Sequence, residues 1–205
     1  MSRGPDQPNR TTVNPRTTRV RQIIVDAAME LLIREGAGAV TAVRIAEATG
    51  VARTTIYSHW ATPAELLIQA IDSVVSPHVP TSISDSVEED LFLALSNLHK
   101  RMARKQFRAI FAALLDHANR DAKTVATQRR FVNGVLEPIH DILSAAKERG
   151  DLPSGLDIES ASARLAGPLF HRHVMLRASI SNQLIAQTID QFLCSYGPLS
   201  HDGLE

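Results

Sequence analysis

Apolar residues recur at three- and four-residue steps along most of this chain, and no segment alternates convincingly with period two. Val20, Ile23, Ile24, Ala27, Ala28, Leu31 and Leu32 form one such stripe, and Leu91, Leu95, Leu98 and Met102 form another. That spacing buries one face of a helix, whereas a half-buried strand needs strict alternation. The fold class is therefore all-α. Gly36 and Gly38 close the first helix, and Thr41 has the chemistry of an N-cap for a short helix holding Ile45 and Ala46. The Thr49-Gly50-Val51 turn leads into a second short helix ending near His59, and Pro63 suits the first turn of a fourth. Pro77 and Pro80 mark a loop, and Ser86-Val87-Glu88-Glu89 has capping-box spacing ahead of the Leu91 stripe. Further helices are expected at about 105–118, 122–148, 157–178 and 182–195, with Pro138 and Pro168 kinking theirs.

With 205 residues there is room for a compact helical domain and a smaller module in front of it. Residues 1–16 are rich in Pro, Arg, Asn and Thr and lack the apolar residues to offset ordering entropy, so a disordered basic arm is expected there. The formal net charge is zero, which excludes a global basic field, but residues 1–60 carry eight arginines against five carboxylates. A basic head on an acidic body suits DNA contact at one end. Cys194 is the sole cysteine, so no intrachain disulfide can form, as suits a reducing compartment. With no secretory signal and no run of about 18 apolar residues, a cytoplasmic protein without membrane contact is expected.

The stretch from Thr41 to Trp60 carries the chemistry. Two helices crossing steeply need a small residue at the contact, which Ala46 supplies, and a turn tolerant of positive φ, which Gly50 supplies. Ile45, Val51 and Ile56 are expected to lock the second helix on the first. With Ile56 inward, Arg53, Thr54, Tyr57 and Ser58 face the other way. A guanidinium reads guanine edges or phosphate, hydroxyls reach phosphate or bases, and a tyrosine typically meets phosphate.

This segment resembles the DNA-binding domain of the tetracycline-repressor (TetR/AcrR) family. The pattern is matched at Thr41, Ile45, Ala46, Gly50, Val51, Thr55, Ile56, Tyr57 and His59, with Glu65-Leu66 as its later Glu-Leu pair. The likeness spans residues 17–75. The chain departs from the family at Ala52 for the usual Ser, Thr54 for Gly, Trp60 for Phe and Pro63 for Lys. Loss of that lysine shifts the expected phosphate anchoring to Thr41, Arg44 and the arm residues Arg10, Arg16 and Arg19. Together with Arg53, Thr54, Thr55, Tyr57, Ser58 and His59 these are the candidate DNA contacts.

The resemblance implies a helix-turn-helix domain over 17–62, with the motif at about 41–60, and a regulatory and dimerisation domain over 63–205. It implies a ligand-responsive repressor, a homodimer on a near-palindromic double-stranded operator. The last two long helices would pair with those of a second copy, roughly 158–179 and 182–195. Leu165, Ala166, Leu169 and Phe170, then Leu184, Ile185, Ile189, Phe192 and Leu193, would supply the apolar surface. A transcriptional activator on this scaffold, or an all-helical enzyme or small-molecule carrier with a structural helix-turn-helix, are the competing readings.

No catalytic residues, metal site or cofactor are expected. Glu137-Pro-Ile-His140 has the Glu-x-x-His spacing of di-iron bundles but occurs once, and His171 and His173 fall on different helix faces. Large, soft side chains (Met102, Phe107, Phe111, Phe131, Met175) together with His140 and His171 are the candidate lining for a small, mostly apolar effector. The cluster Arg101, Arg104, Lys105 and Arg108 reads as a solvated face.

Overall fold

The computed structural model describes residues 15–74, 83–118 and 122–196; of the arm expected over 1–16, residues 1–14 with Arg10 lie outside them, whereas Pro15 and Arg16 belong to the first helix and not to a disordered arm. Nine α-helices and no strand occur among the described residues, in two compact units that divide after Ser73.

The first unit holds α1 (Pro15–Glu35), α2 (Ala42–Thr49), α3 (Arg53–His59) and α4 (Pro63–Asp72). The first helix begins at Pro15, two residues before the expected start; a proline needs no donor at a helix N-terminus and its φ is already helical. Ile24, Ala28 and Leu32 of α1 pack with Ile45, Ile56, Leu66, Ala70 and Ile71, all essentially buried. Helix α4 packs along α1, so the boundary expected at 62/63 falls instead at 73/74. The reason is local: Leu66, Leu67, Ala70 and Ile71 turn the apolar face of α4 into the first core. Thr62 accepts from the Glu65 amide at 3.2 Å while Glu65 accepts from the Ala61 amide at 2.9 Å, and this reciprocal cap fixes the start of α4.

The second unit holds α5 (Val87–Ala103), α6 (Lys105–Ala118), α7 (Ala122–Arg149), α8 (Ile158–Phe170) and α9 (Asn182–Cys194). The 28-residue α7 packs against α5, α6 and α8, and α5 also meets α9. Leu91, Leu95, Leu98 and Met102 of α5 interlock with Leu114, Ile139, Leu143 and Leu169 to form this core. Ser86 caps α5 as its spacing implies, accepting from the Glu89 amide at 3.3 Å. Helix α7 runs on through Pro138, whereas α8 passes three residues after Pro168 into a wide π-type turn, His171–Met175. The long helix expected to 178 therefore ends early.

Burial also corrects the expected dimer surface. Leu165, Ala166, Leu169, Ile185, Ile189 and Phe192 are buried within the chain, and Phe170, Leu184 and Leu193 are half-buried. Two neighbouring helices of one bundle use the same periodic stripe whether they pack inside a chain or between chains, and here the inside takes it.

Candidate nucleic-acid interface and effector cavity

The geometry of the helix-turn-helix follows from a few side chains. Thr41, with extended backbone, accepts from the Arg44 amide at 3.3 Å and starts α2. Gly50 ends it in the left-handed region, φ 72°, which a β-carbon disfavours. Thr49 reinforces the turn from both sides, donating to the Ile45 carbonyl at 2.7 Å and accepting from the Val51 amide at 3.2 Å. Ile45 and Ile56 are buried and Val51 is half-buried, so the locking triangle forms with one looser corner.

That packing leaves one side of α3 in solvent. Arg53, Thr54, Tyr57 and Ser58 are exposed, Tyr57 by 52%, while Thr55 and His59 are half-buried. Ala52 occupies the N-cap position and offers no side-chain bond to the first turn, where its carbonyl accepts from the Thr55 amide at 2.9 Å. Arg44 is not a free cation: Glu35 accepts from both of its terminal nitrogens, at 3.0 and 2.9 Å. The Arg44 hydrogen bonds hold the Glu35 carboxyl below its ordinary value. Arg19 is exposed, and the backbone of Arg16 lies in the first turn of α1.

Sequence reasoning did not find what holds the motif to its support. Trp60 is 4% exposed, and its Nε1 donates to Gln69 Oε1 of α4 at 2.7 Å. Arg21 of α1 donates to the same oxygen at 2.7 Å and lies over the Trp60 ring, 5.5 Å from its centroid. One amide oxygen thus ties α1, α4 and the residue that ends α3. A lone Gln in an amphipathic helix carries no pattern that announces this.

In the second unit a cavity of about 620 Å³ opens between α5, α6 and the segment after α8. Of the residues expected to line it, Phe107 and Phe111 do. The other five do not. Met102 is fully buried core, and Phe131 stands behind Phe107 with ring centroids 5.4 Å apart. His140 lies half-buried on α7 with Nε2 unpartnered, and His171 and Met175 face solvent, Met175 by 73%. The lining instead includes His99, His173, Arg108 and Arg177. Spacing could not reveal these, because three separate elements bring them together. His173 Nε2 donates to the Met102 carbonyl at 3.1 Å, which ties the turn after α8 to the end of α5.

No described helix is long and apolar enough to cross a membrane, and no group of three or more potential metal ligands occurs among the described residues.

Comparison with known proteins places these two units. Residues 24–70 match the model for bacterial regulatory proteins of the tetR family, and residues 84–192 match the tetracyclin repressor-like C-terminal domain. The chain is 30% identical over 148 residues to the HTH-type transcriptional regulator SrpR of Pseudomonas putida, covering 69% of this chain and 67% of that one. The crystal structure of a TetR transcriptional regulator from Agrobacterium tumefaciens superposes with TM-score 0.70 at 20% identity, covering 89% and 94%. A transcriptional regulator from Saccharomonospora viridis, solved in complex with choline, superposes with TM-score 0.62 at 15% identity, covering 86% and 96%. The family is one of regulators rather than enzymes. A helix-turn-helix unit matching one family model, followed by a helical unit matching its C-terminal partner, leaves one conclusion: this chain belongs to the tetracycline-repressor family of DNA-binding transcriptional regulators.

Proposed function

We propose that the protein is a ligand-responsive repressor that acts in the cytoplasm as a homodimer on a near-palindromic operator. The observation that carries this is the solvent face of α3. Arg53, Thr54, Tyr57 and Ser58 stand exposed on a helix fixed from behind by Ile56, which suits insertion into a major groove. A short single helix reads only a few base pairs, so a second copy supplies the second half-site and the affinity.

The dimer contact falls to the faces of α8 and α9 left outside the core. On α8 these are Ala163, Gly167 and Pro168, and on α9 Gln183, Gln187 and Gln191, all exposed. A β-carbon at Gly167 would meet nothing within 4 Å, so the backbone there is open to close approach by another helix. The cavity in the second unit is the effector site, as its size and its stacked phenyl wall suit a small, largely apolar molecule. A solved relative holds choline, which makes a small-molecule effector reasonable for this fold. Differential affinity of the effector for two conformations of the dimer then releases DNA.

Expression of a reporter behind the bound sequence, with and without the regulator gene, tests the sign. Raised expression on deletion supports repression, and lowered expression would establish an activator on the same scaffold.

A further inference from the structure

The cavity lining combines aromatic rings with cationic side chains. Phe107 and Phe111 on α6 lie with ring centroids 5.9 Å apart and planes within 12° of parallel. Phe170 stands 5.7 Å from Phe111 and extends the aromatic layer. Arg108, from the same helix, and Arg177, from the segment after α8, bring two guanidinium groups to this space. No carboxylate lines the cavity, and neither guanidinium has a hydrogen-bond or ion-pair partner among the described residues. Guanidinium forks beside an apolar wall match an oxyanion head, two of whose oxygens can accept from one fork, and the low-dielectric wall strengthens the attraction.

Arg177 is held there at some cost. It is the only non-glycine residue with positive φ among those described, at 50°. The segment is pinned around it: Arg172 Nε donates to the Ser179 carbonyl at 2.6 Å, and the Ala178 amide donates to the Arg172 carbonyl at 3.0 Å. A left-handed backbone at a residue with a β-carbon persists only where its surroundings over-determine it, and such positions cluster at ligand clamps. The two imidazoles add no competing demand. His173 is committed to the Met102 carbonyl, and burial with the facing His173 ring pushes His99 below its ordinary value.

We propose that this cavity takes an amphipathic organic anion, its apolar, preferably aromatic body against Phe107 and Phe111 and its carboxylate or sulfonate held by Arg108 and Arg177. This rests on the reading of the cavity as the effector site and narrows it. A quaternary ammonium such as the choline of the solved relative would meet two like charges here.

Two fluorescent probes that share one aromatic body test the charge: anilinonaphthalene sulfonate, and phenylnaphthylamine, which lacks the sulfonate. Each is titrated into the full-length protein, the Arg108→Gln/Arg177→Asn double variant and Phe111→Trp. Asparagine tolerates the left-handed backbone at 177, and both arginines are exposed, so the double variant keeps its fold and its melting temperature. The sulfonate should bind at one site per chain, and the double variant should weaken it about tenfold or more, the loss of one good charge-assisted contact. The neutral probe should be unaffected by that variant, and Phe111→Trp should weaken both. An unchanged ratio of the two affinities in the double variant overturns the anion assignment. If Phe111→Trp still weakens both probes, the effector site survives without its charge selectivity; if it weakens neither, the effector reading falls with it.

Discussion

At the scale of single residues, function and support separate cleanly in the first unit. Arg53 is exposed on α3, so truncating it should test the proposed DNA contact without disturbing the fold. Arg53→Ala is expected to weaken specific DNA binding by about 1–3 kcal/mol, and Tyr57→Phe by less, since a phenol meets phosphate rather than a base edge. Footprinting titrations measure both, and unchanged affinities in both would mean another surface reads the DNA. Gln69 is the contrasting case. Gln69→Leu leaves the buried Trp60 indole N–H without an acceptor and releases Arg21, so thermal stability should drop by about 1–3 kcal/mol. Glu35 and Arg44 add a weaker pH dependence. The Glu35 carboxyl is held low by Arg44, so the pair's contribution is present above the ordinary carboxylate value and lost as pH falls through the lowered one. Both partners are solvent-exposed, which keeps that contribution small.

At the scale of elements, the turn between α2 and α3 depends on one backbone conformation. A β-carbon at Gly50 would clash with nothing, so the cost of Gly50→Ala is purely conformational, about 1–2 kcal/mol at φ 72°. Gly50→Asn should cost less, because asparagine tolerates the left-handed region. Melting curves of the two variants check the order, and equal losses would point to packing instead. This turn was fully legible in the sequence, since Thr41, Gly50 and Ile56 act through local chemistry at fixed spacing. Helix order and most ends were legible for the same reason: caps and periodicity are local signals. Besides the Gln69 tie to Trp60 and Arg21, three things were not. Helix α4 has the same amphipathic stripe whichever unit it joins, so the boundary at 73/74 was invisible. The apolar faces of α8 and α9 look alike whether they meet within a chain or between chains. The cavity wall is assembled from α5, α6 and the turn after α8, and only two of its phenylalanines stood out by type.

At the scale of the whole molecule, assembly and reach decide how α3 works. Gly167→Arg adds bulk and charge to the outer face of α8, where the chain itself has room for them. Sedimentation should show loss of the dimer with the helical content unchanged, and a dimer that persists would move the interface away from α8. Residues 2–14, which precede α1 in the sequence, carry Arg3 and Arg10. Their removal should lower the salt slope of DNA binding while leaving the preferred sequence alone, since arginine contacts to phosphate neutralise charge without reading bases in the major groove. The central claim is that α3, presented twice by a dimer, reads a specific operator. Selection of bound fragments from a random DNA pool tests it most directly. A single enriched motif with inverted-repeat symmetry, its half-sites about one helical turn apart or a multiple of that, is the expected result. A pool that gains no motif, or an enriched sequence whose binding is indifferent to Arg53→Ala, would contradict the account.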